Sequence, residues 1–174
     1  MPLSTVKPEL YSQQLTSKAE RIARQFSEFE PPELQLFDSP PLNFRVRAEF
    51  KIWHEGDDSF YAMFNREEPK KPVRVDTFPI GSKLINSLMS NLMSEVRDNP
   101  LLRQKLFQVE FLTTLSGESL ITMIYHKALN NDWQSAAQSV QSKLNTQIIG
   151  RSKKQSMTLS KALTLIHTRR APRQ

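Results

Sequence analysis

The chain has 174 residues, 38% of them apolar and none of them cysteine. That is enough for one ordinary domain with a real core, and it excludes a disulfide scaffold, a thiolate metal site and thiol catalysis. No apolar run approaches the roughly 20 residues of a membrane span, and the four glycines Gly56, Gly81, Gly117 and Gly150 are too far apart for a phosphate-cradling loop.

Residues 8 to 29 place Leu10, Leu15, Ala19, Ile22, Ala23 and Phe26 at helical spacing, and Pro31-Pro32 stops that helix. From Phe44 the period changes to two. Phe44, Val46, Ala48, Phe50 and Ile52 alternate with Arg45, Arg47, Glu49 and Lys51, which predicts a half-buried strand. Gly56-Asp57-Asp58 reads as a turn, Phe60 to Phe64 as the returning strand and Val73 to Val75 as a third.

Ser82 is the expected cap of a helix through Arg97, with Pro100 marking its end. Phe107 to Leu115 and Ser119 to His126 flank Ser116-Gly117-Glu118 as a second hairpin. Asn131 or Asp132 is expected to cap a helix to about Leu144, and Thr146 to Ile149 reads as one more short strand. The order predicts an α+β fold, an antiparallel hairpin-rich sheet with amphipathic helices.

The net charge of +6 is unevenly placed. Residues 1 to 132 carry 16 Lys/Arg against 18 Asp/Glu, whereas residues 133 to 174 carry 8 Lys/Arg and no acid. From about Arg151 the composition predicts a poorly ordered basic tail. Met1 to Glu9 lacks the basic-then-apolar order of a secretory signal, so the expected location is cytoplasmic.

Three groups of residues carry candidate chemistry. His54-Glu55-Gly56-Asp57-Asp58 has the donor types of a metal or acid–base site, but a hairpin turn uses the same residues, and the turn is the favoured reading. Arg45, Arg47 and Lys51 alternate on one strand face, where they suit either phosphates or plain solvation. Phe50, Trp53, Phe60, Tyr61 and Phe64 are interleaved with them as core or as stacking surfaces. His126, at a strand end, is a ligand contact or a structural histidine.

The run Phe44-Arg45-Val46-Arg47-Ala48-Glu49-Phe50-Lys51-Ile52-Trp53-His54-Glu55-Gly56-Asp57-Asp58 resembles the opening signature of bacterial tRNA (uracil-5-)-methyltransferases. Arg74-Val75-Asp76, Lys105-Leu106-Phe107-Gln108, Leu112-Thr113-Thr114-Leu115-Ser116, Tyr125-His126-Lys127 and Ile149-Gly150-Arg151 follow collinearly. The resemblance covers about residues 8 to 154; Ser156-Met157-Thr158-Leu159-Ser160 and Arg169-Arg170-Ala171-Pro172-Arg173 match nothing in it. It implies an RNA-engaging region over residues 1–150, an atypical tail over 151–174, and a tRNA partner met at its T arm.

Members of that family are about twice this length. They form 5-methyluridine in the T loop with S-adenosylmethionine held in a Rossmann-like domain, and that domain is absent from this sequence. A family cysteine attacks C6 of uracil to make C5 nucleophilic, and this chain has no cysteine. No catalytic, cofactor or metal residue is therefore assigned. The expectation is a truncated or frameshifted copy that is inactive alone; a stand-alone tRNA-binding module and one half of a split enzyme, completed by a separate catalytic chain, are the alternatives. The resemblance matches Phe107 to an aromatic against the T-loop bases, His126 to a histidine near the target nucleotide, Lys51 to a basic position, usually arginine, suited to the RNA backbone, and Arg45 and Arg47 to cations that contact RNA or are structural.

Overall fold

The computed structural model describes residues 6–65, 67–153 and 155–159. Alternation builds the first strand, β1 (Arg47–Glu55): Ala48, Phe50 and Ile52 turn inward while Arg47 and Glu49 stay exposed. The other strands are β2 (Asp58–Phe64), β3 (Pro72–Arg74), β4 (Leu106–Thr113), β5 (Ser119–Tyr125), β6 (Gln147–Ser152) and β7 (Gln155–Thr158). They form one sheet in the order β3-β2-β1-β4-β5-β6-β7. The helices are α1 (Tyr11–Phe26), α2 (Lys83–Arg97), α3 (Pro100–Arg103) and α4 (Asn131–Leu144).

Helices α2 to α4 cover one face of the sheet. Ile85, Leu88, Leu92 and Val96 of α2 and Trp133, Ala137 and Val140 of α4 pack with Phe50, Tyr61, Val109, Phe111, Met123 and Ile148 in a single core. Two buried phenols tie helices to sheet: Tyr61 donates to the Met89 carbonyl at 3.0 Å and Tyr125 to the Leu102 carbonyl at 2.8 Å. Burial pushes the pKa of both phenols upward, so they remain donors.

Several elements depart from the sequence expectation for identifiable reasons. Phe44 and Arg45 precede the ladder because the Arg45 backbone is taken by the segment before α2: Arg45 N–H donates to the Ile80 carbonyl and Ser82 N–H to the Arg45 carbonyl, both at 2.8 Å. Phe44 is consequently exposed. Pro100 does more than end a helix; with Asn99 as cap it starts α3, the position at which proline's missing N–H costs nothing. Helix α4 is capped by Asn130, one residue earlier than expected, whose side chain accepts from Trp133 N–H at 2.9 Å.

The sheet is not wholly antiparallel. Strands β5 and β6 pair in parallel, joined by α4 as the crossover. The ordered chain also continues past residue 150. Arg151 and Ser152 close β6, and β7 pairs antiparallel with it, so the basic tail expected from Arg151 instead contributes the sheet's last hairpin. Residues 160–174 of that tail lie outside the described residues.

Helix α1 lies apart from this core. Its half-buried stripe is Tyr11, Leu15, Ala19 and Ile22, and Tyr11 Oη accepts from Ser39 N–H at 2.8 Å, folding the following segment back along the helix. Leu10, Phe26, Phe29, Leu34, Leu36, Phe37, Leu42 and Phe44, at the ends of α1 and along the segment between it and β1, are exposed. Among the described residues no helix is long and apolar enough to cross a membrane.

Candidate nucleic-acid interface

The register of β4 creates the site. Leu106 pairs with Tyr125 but Gln108 already pairs with Ile124, so Phe107 is the extra residue of a β-bulge. Lys105, just before it, takes the left-handed conformation at φ 60°, and its carbonyl accepts from His126 N–H at 3.0 Å. Bulge and kink together aim Phe107 sideways, onto the residue that follows β5. The Phe107 and His126 rings stack with centroids 4.1 Å apart and planes 25° apart.

Lys51 completes the assembly from β1. Its Nζ sits 3.7 Å from the centroid of the Phe107 ring and donates to Gln108 Oε1 at 2.7 Å. A cation and an imidazole at those distances leave no room for both on one face of a six-membered ring, so Phe107 lies between Lys51 and His126. His126 is exposed, and its outer face is the free end of the stack. Beside it opens a cleft of about 1020 Å³, bordered by Phe107, His126 and Lys127 on one side and by Arg151, Ser152 and Lys153 of the β6–β7 hairpin on the other.

The structure thus brings Phe107, His126 and Lys51 together, although they come from three places in the sequence. Arg45 and Arg47 stand apart from that trio. The Arg45 guanidinium folds back to donate to the Arg47 carbonyl at 2.8 Å, and Arg47 meets Glu49 at 3.5 Å in an exposed pair. Of the interleaved aromatics, Phe50, Phe60 and Tyr61 are buried, whereas Trp53 is 37% exposed and stands edge-on to Phe64. Lys127, Arg151 and Lys153 were not singled out by sequence reasoning. For Arg151 and Lys153 the signal was the acid-free run after Asp132, which places cations at the end of β6 and in the turn after it with no carboxylate nearby in sequence; Lys127 lies before that run and was marked only by its place beside His126.

His54 has a different job. Its Nε2 lies 2.8 Å from the Leu106 carbonyl and its Nδ1 2.8 Å from Ser59 Oγ. The carbonyl requires a donor at Nε2, and Ser59 Oγ in turn accepts from Arg103 Nε at 2.8 Å, so the neutral Nε2–H tautomer satisfies the whole chain. Arg103 also donates to the Asp58 carbonyl at 3.0 Å, and Asp58 pairs with Arg74 at 2.8 Å and Arg97 at 3.0 Å. The Arg74 hydrogen bond holds the Asp58 carboxyl below its usual range. These residues pin the β1–β2 turn to α2 and α3, and among the described residues no three His, Asp or Glu side chains gather as a metal site. Ser59 is fully buried at the centre. Ser59→Ala leaves Arg103 and His54 each short of a partner, and urea unfolding is expected to show a loss of about 1–3 kcal/mol.

Comparison with known proteins settles the family. The family model described as tRNA (Uracil-5-)-methyltransferase matches residues 10–167. The chain belongs to that family. A tRNA/tmRNA (uracil-C(5))-methyltransferase of Acinetobacter baylyi is 52% identical over 154 residues, covering 87% of this chain and 43% of the relative. The protein of the same name from Chromohalobacter salexigens is 48% identical over 165 residues, covering 92% of this chain and 44% of the relative.

The chain therefore spans less than half the length of these methyltransferases. The crystal structure of Pyrococcus abyssi tRNA (uracil-54, C5)-methyltransferase in complex with S-adenosyl-L-homocysteine superposes with a TM-score of 0.55 at 13% identity, over 85% of this chain and 36% of that one. At that identity the likeness concerns the fold. The family match also corrects one expectation: it runs past Lys154 to residue 167, consistent with β7 being an integral strand.

Proposed function

We propose that this chain is the tRNA-engaging part of a tRNA (uracil-C5)-methyltransferase, and that it meets the T arm through the Phe107–His126 stack. The observation that carries the reading is the β-bulge at Phe107, which builds an exposed aromatic platform backed by a cation at the mouth of a basic cleft. Single-stranded loops are recognised by stacking splayed bases on such platforms while cations meet the backbone. The names of the relatives, with tRNA and tmRNA as substrates, support the same partner, and the Pyrococcus abyssi protein is named for a single tRNA position, uracil 54.

The RNA-engaging unit on this reading runs through Thr158, since β7 pairs with β6 along its length and its Gln155 lines the cleft. Lys51 keeps the charge of a backbone contact without the bidentate fork of arginine. Arg45 and Arg47, which stand apart from the stack, meet the RNA backbone at the start of β1 and just before it. Methyl transfer to C5 needs a thiolate adduct at C6, and with no cysteine in this sequence that chemistry, together with S-adenosylmethionine binding, belongs to residues outside it. A tRNA partner goes with a cytoplasmic location.

The test is preference between two RNAs. Fluorescence anisotropy with an unmodified T-arm hairpin and with an anticodon-arm hairpin of equal length is expected to show at least about tenfold tighter binding of the T arm, the worth of one good stacking contact. Equal affinity for the two hairpins would reduce the interaction to the general attraction of a chain of charge +6 for RNA and overturn the reading.

A further inference from the structure

One cross-strand row on the sheet face away from α2–α4 links both sides of the cleft. Lys51 pairs with Gln108, Gln108 with Ile124, and Ile124 with Arg151. Partners in register share a face, so Lys51 and Arg151 stand three strand spacings apart, roughly 14 Å, with the Phe107 bulge beside the gap. Lys127 follows His126 at the end of β5 and lines the same cleft as Arg151.

The charges of this row are not neutralised. Arg74, Arg97 and Lys143 each meet a carboxylate within 3.0 Å. Among the described residues Lys127, Arg151 and Lys153 have no such partner. Among the described residues the Nζ of half-buried Lys127 donates to the Leu101 carbonyl at 2.9 Å and lies 5.6 Å from the centroid of the Tyr125 ring, and its burial lowers its pKa, the response of a cation desolvated without a counter-charge. In the neighbouring row of this face stand Glu49 and Glu110, cross-strand partners on β1 and β4, the nearer of them two strands and two residues removed from Arg151. Cations without carboxylates along a cleft that ends in an aromatic platform form a site for a polyanion that also presents a flat ring.

We propose that Lys127 and Arg151, with Lys153 beside them, grip backbone phosphates of an unpaired RNA segment whose base rests on the outer face of His126. The strand then crosses the sheet end between the start of the β5–α4 loop and the β6–β7 hairpin. This rests on the tRNA-engaging reading above and adds to it a second, sequence-independent half of the site: the stack selects an unpaired base and the cationic wall fixes the strand's path. It also gives β7 a function, because that strand holds Arg151 in place from the far side through its pairing with Ser156.

The experiment measures affinity of the full chain for the T-arm hairpin between about 50 and 200 mM salt. Each phosphate contact removed lowers the slope of log affinity against log salt by about 0.7–0.9. Lys127→Gln and Arg151→Gln are each expected to bind about tenfold more weakly with a slope shallower by that amount. Lys143→Gln, which breaks the remote pair with Glu95, is expected to keep the slope. Where Arg151→Gln lowers the thermal midpoint as well, Arg151→Lys decides: a restored slope supports the contact and an unrestored one overturns it. If Phe107→Ala weakens binding while Lys127→Gln and Arg151→Gln leave affinity and slope unchanged, the proposal fails and the tRNA reading stands. If Phe107→Ala also binds like the wild type, the tRNA reading fails with it.

Discussion

Gly150→Ala is expected to destabilise the fold by about 1–3 kcal/mol, the usual cost of forcing a methyl into a filled core. Gly150 is in ordinary strand conformation; the positive-φ glycines are Gly56 and Gly117. Its requirement is space. A Cβ there would fall 2.7 Å from Leu129 Cδ1 and 2.7 Å from Trp133 Cζ3, and closer still to Trp133 Cη2. Trp133 is among the largest fully buried side chains, the residue by which α4 seats on β6. The methyl can therefore be admitted only by tilting the indole or lifting α4 from the sheet. In a chain of this size each kcal/mol lowers the melting midpoint by about 2–4 °C. Trp133→Phe, which removes the colliding part of the ring, is expected to rescue part of that loss. The double variant would then be more stable than the two single effects added together, and simple additivity would place the damage elsewhere. Arg151 is the next residue, so a displaced β6 also moves one wall of the cleft.

That packing shows where sequence reasoning succeeds. The alternation of Ala48, Phe50 and Ile52 and the helical spacing of Leu88, Leu92 and Val96 report burial directly, because each element must bury one face. Hairpin turns were legible too, since Gly56 and Gly117 occupy positive φ where glycine costs least. What stayed hidden depends on pairing rather than on local pattern. The residue pattern of β5 and β6 does not distinguish parallel from antiparallel pairing; the signal for the parallel pair was the strand–helix–strand order, in which α4 is long enough to serve as the crossover. The bulge at Phe107 exists only relative to Tyr125 and Ile124 across the ladder. Periodicity places Phe107 on a strand; the bulge turns it out of the row and onto His126. Arg45 escapes for a similar reason, its alternation continuing into a segment whose backbone is bonded to the loop before α2 rather than to the sheet. The three residues of the stack, Lys51, Phe107 and His126, can all be named from sequence, but their assembly is not visible there.

Removing Phe107 is expected to cost more in RNA binding than any other single truncation in the stack. A base on an aromatic platform is worth about 1–3 kcal/mol by alanine substitution, roughly 5- to 150-fold in affinity. With Lys51 on one side of its ring and His126 on the other, Phe107 holds both partners in place. His126 is exposed, and its ring orientation rests on that 4.1 Å contact, so without Phe107 the imidazole is free to rotate and a base stacked on it loses its support. Phe107→Ala should then remove most of what His126→Ala removes. In a double-mutant cycle read by T-arm affinity, the two changes together are expected to cost little more than Phe107→Ala alone, a coupling within the range of about 0.5–3 kcal/mol typical of touching residues. Full additivity would mean that Phe107 and His126 act on separate parts of the RNA, and the continuous stack would lose its functional meaning. Phe107→Leu separates shape from aromaticity: it fills the bulge without a π face, and is expected to keep the melting midpoint while losing most of the affinity.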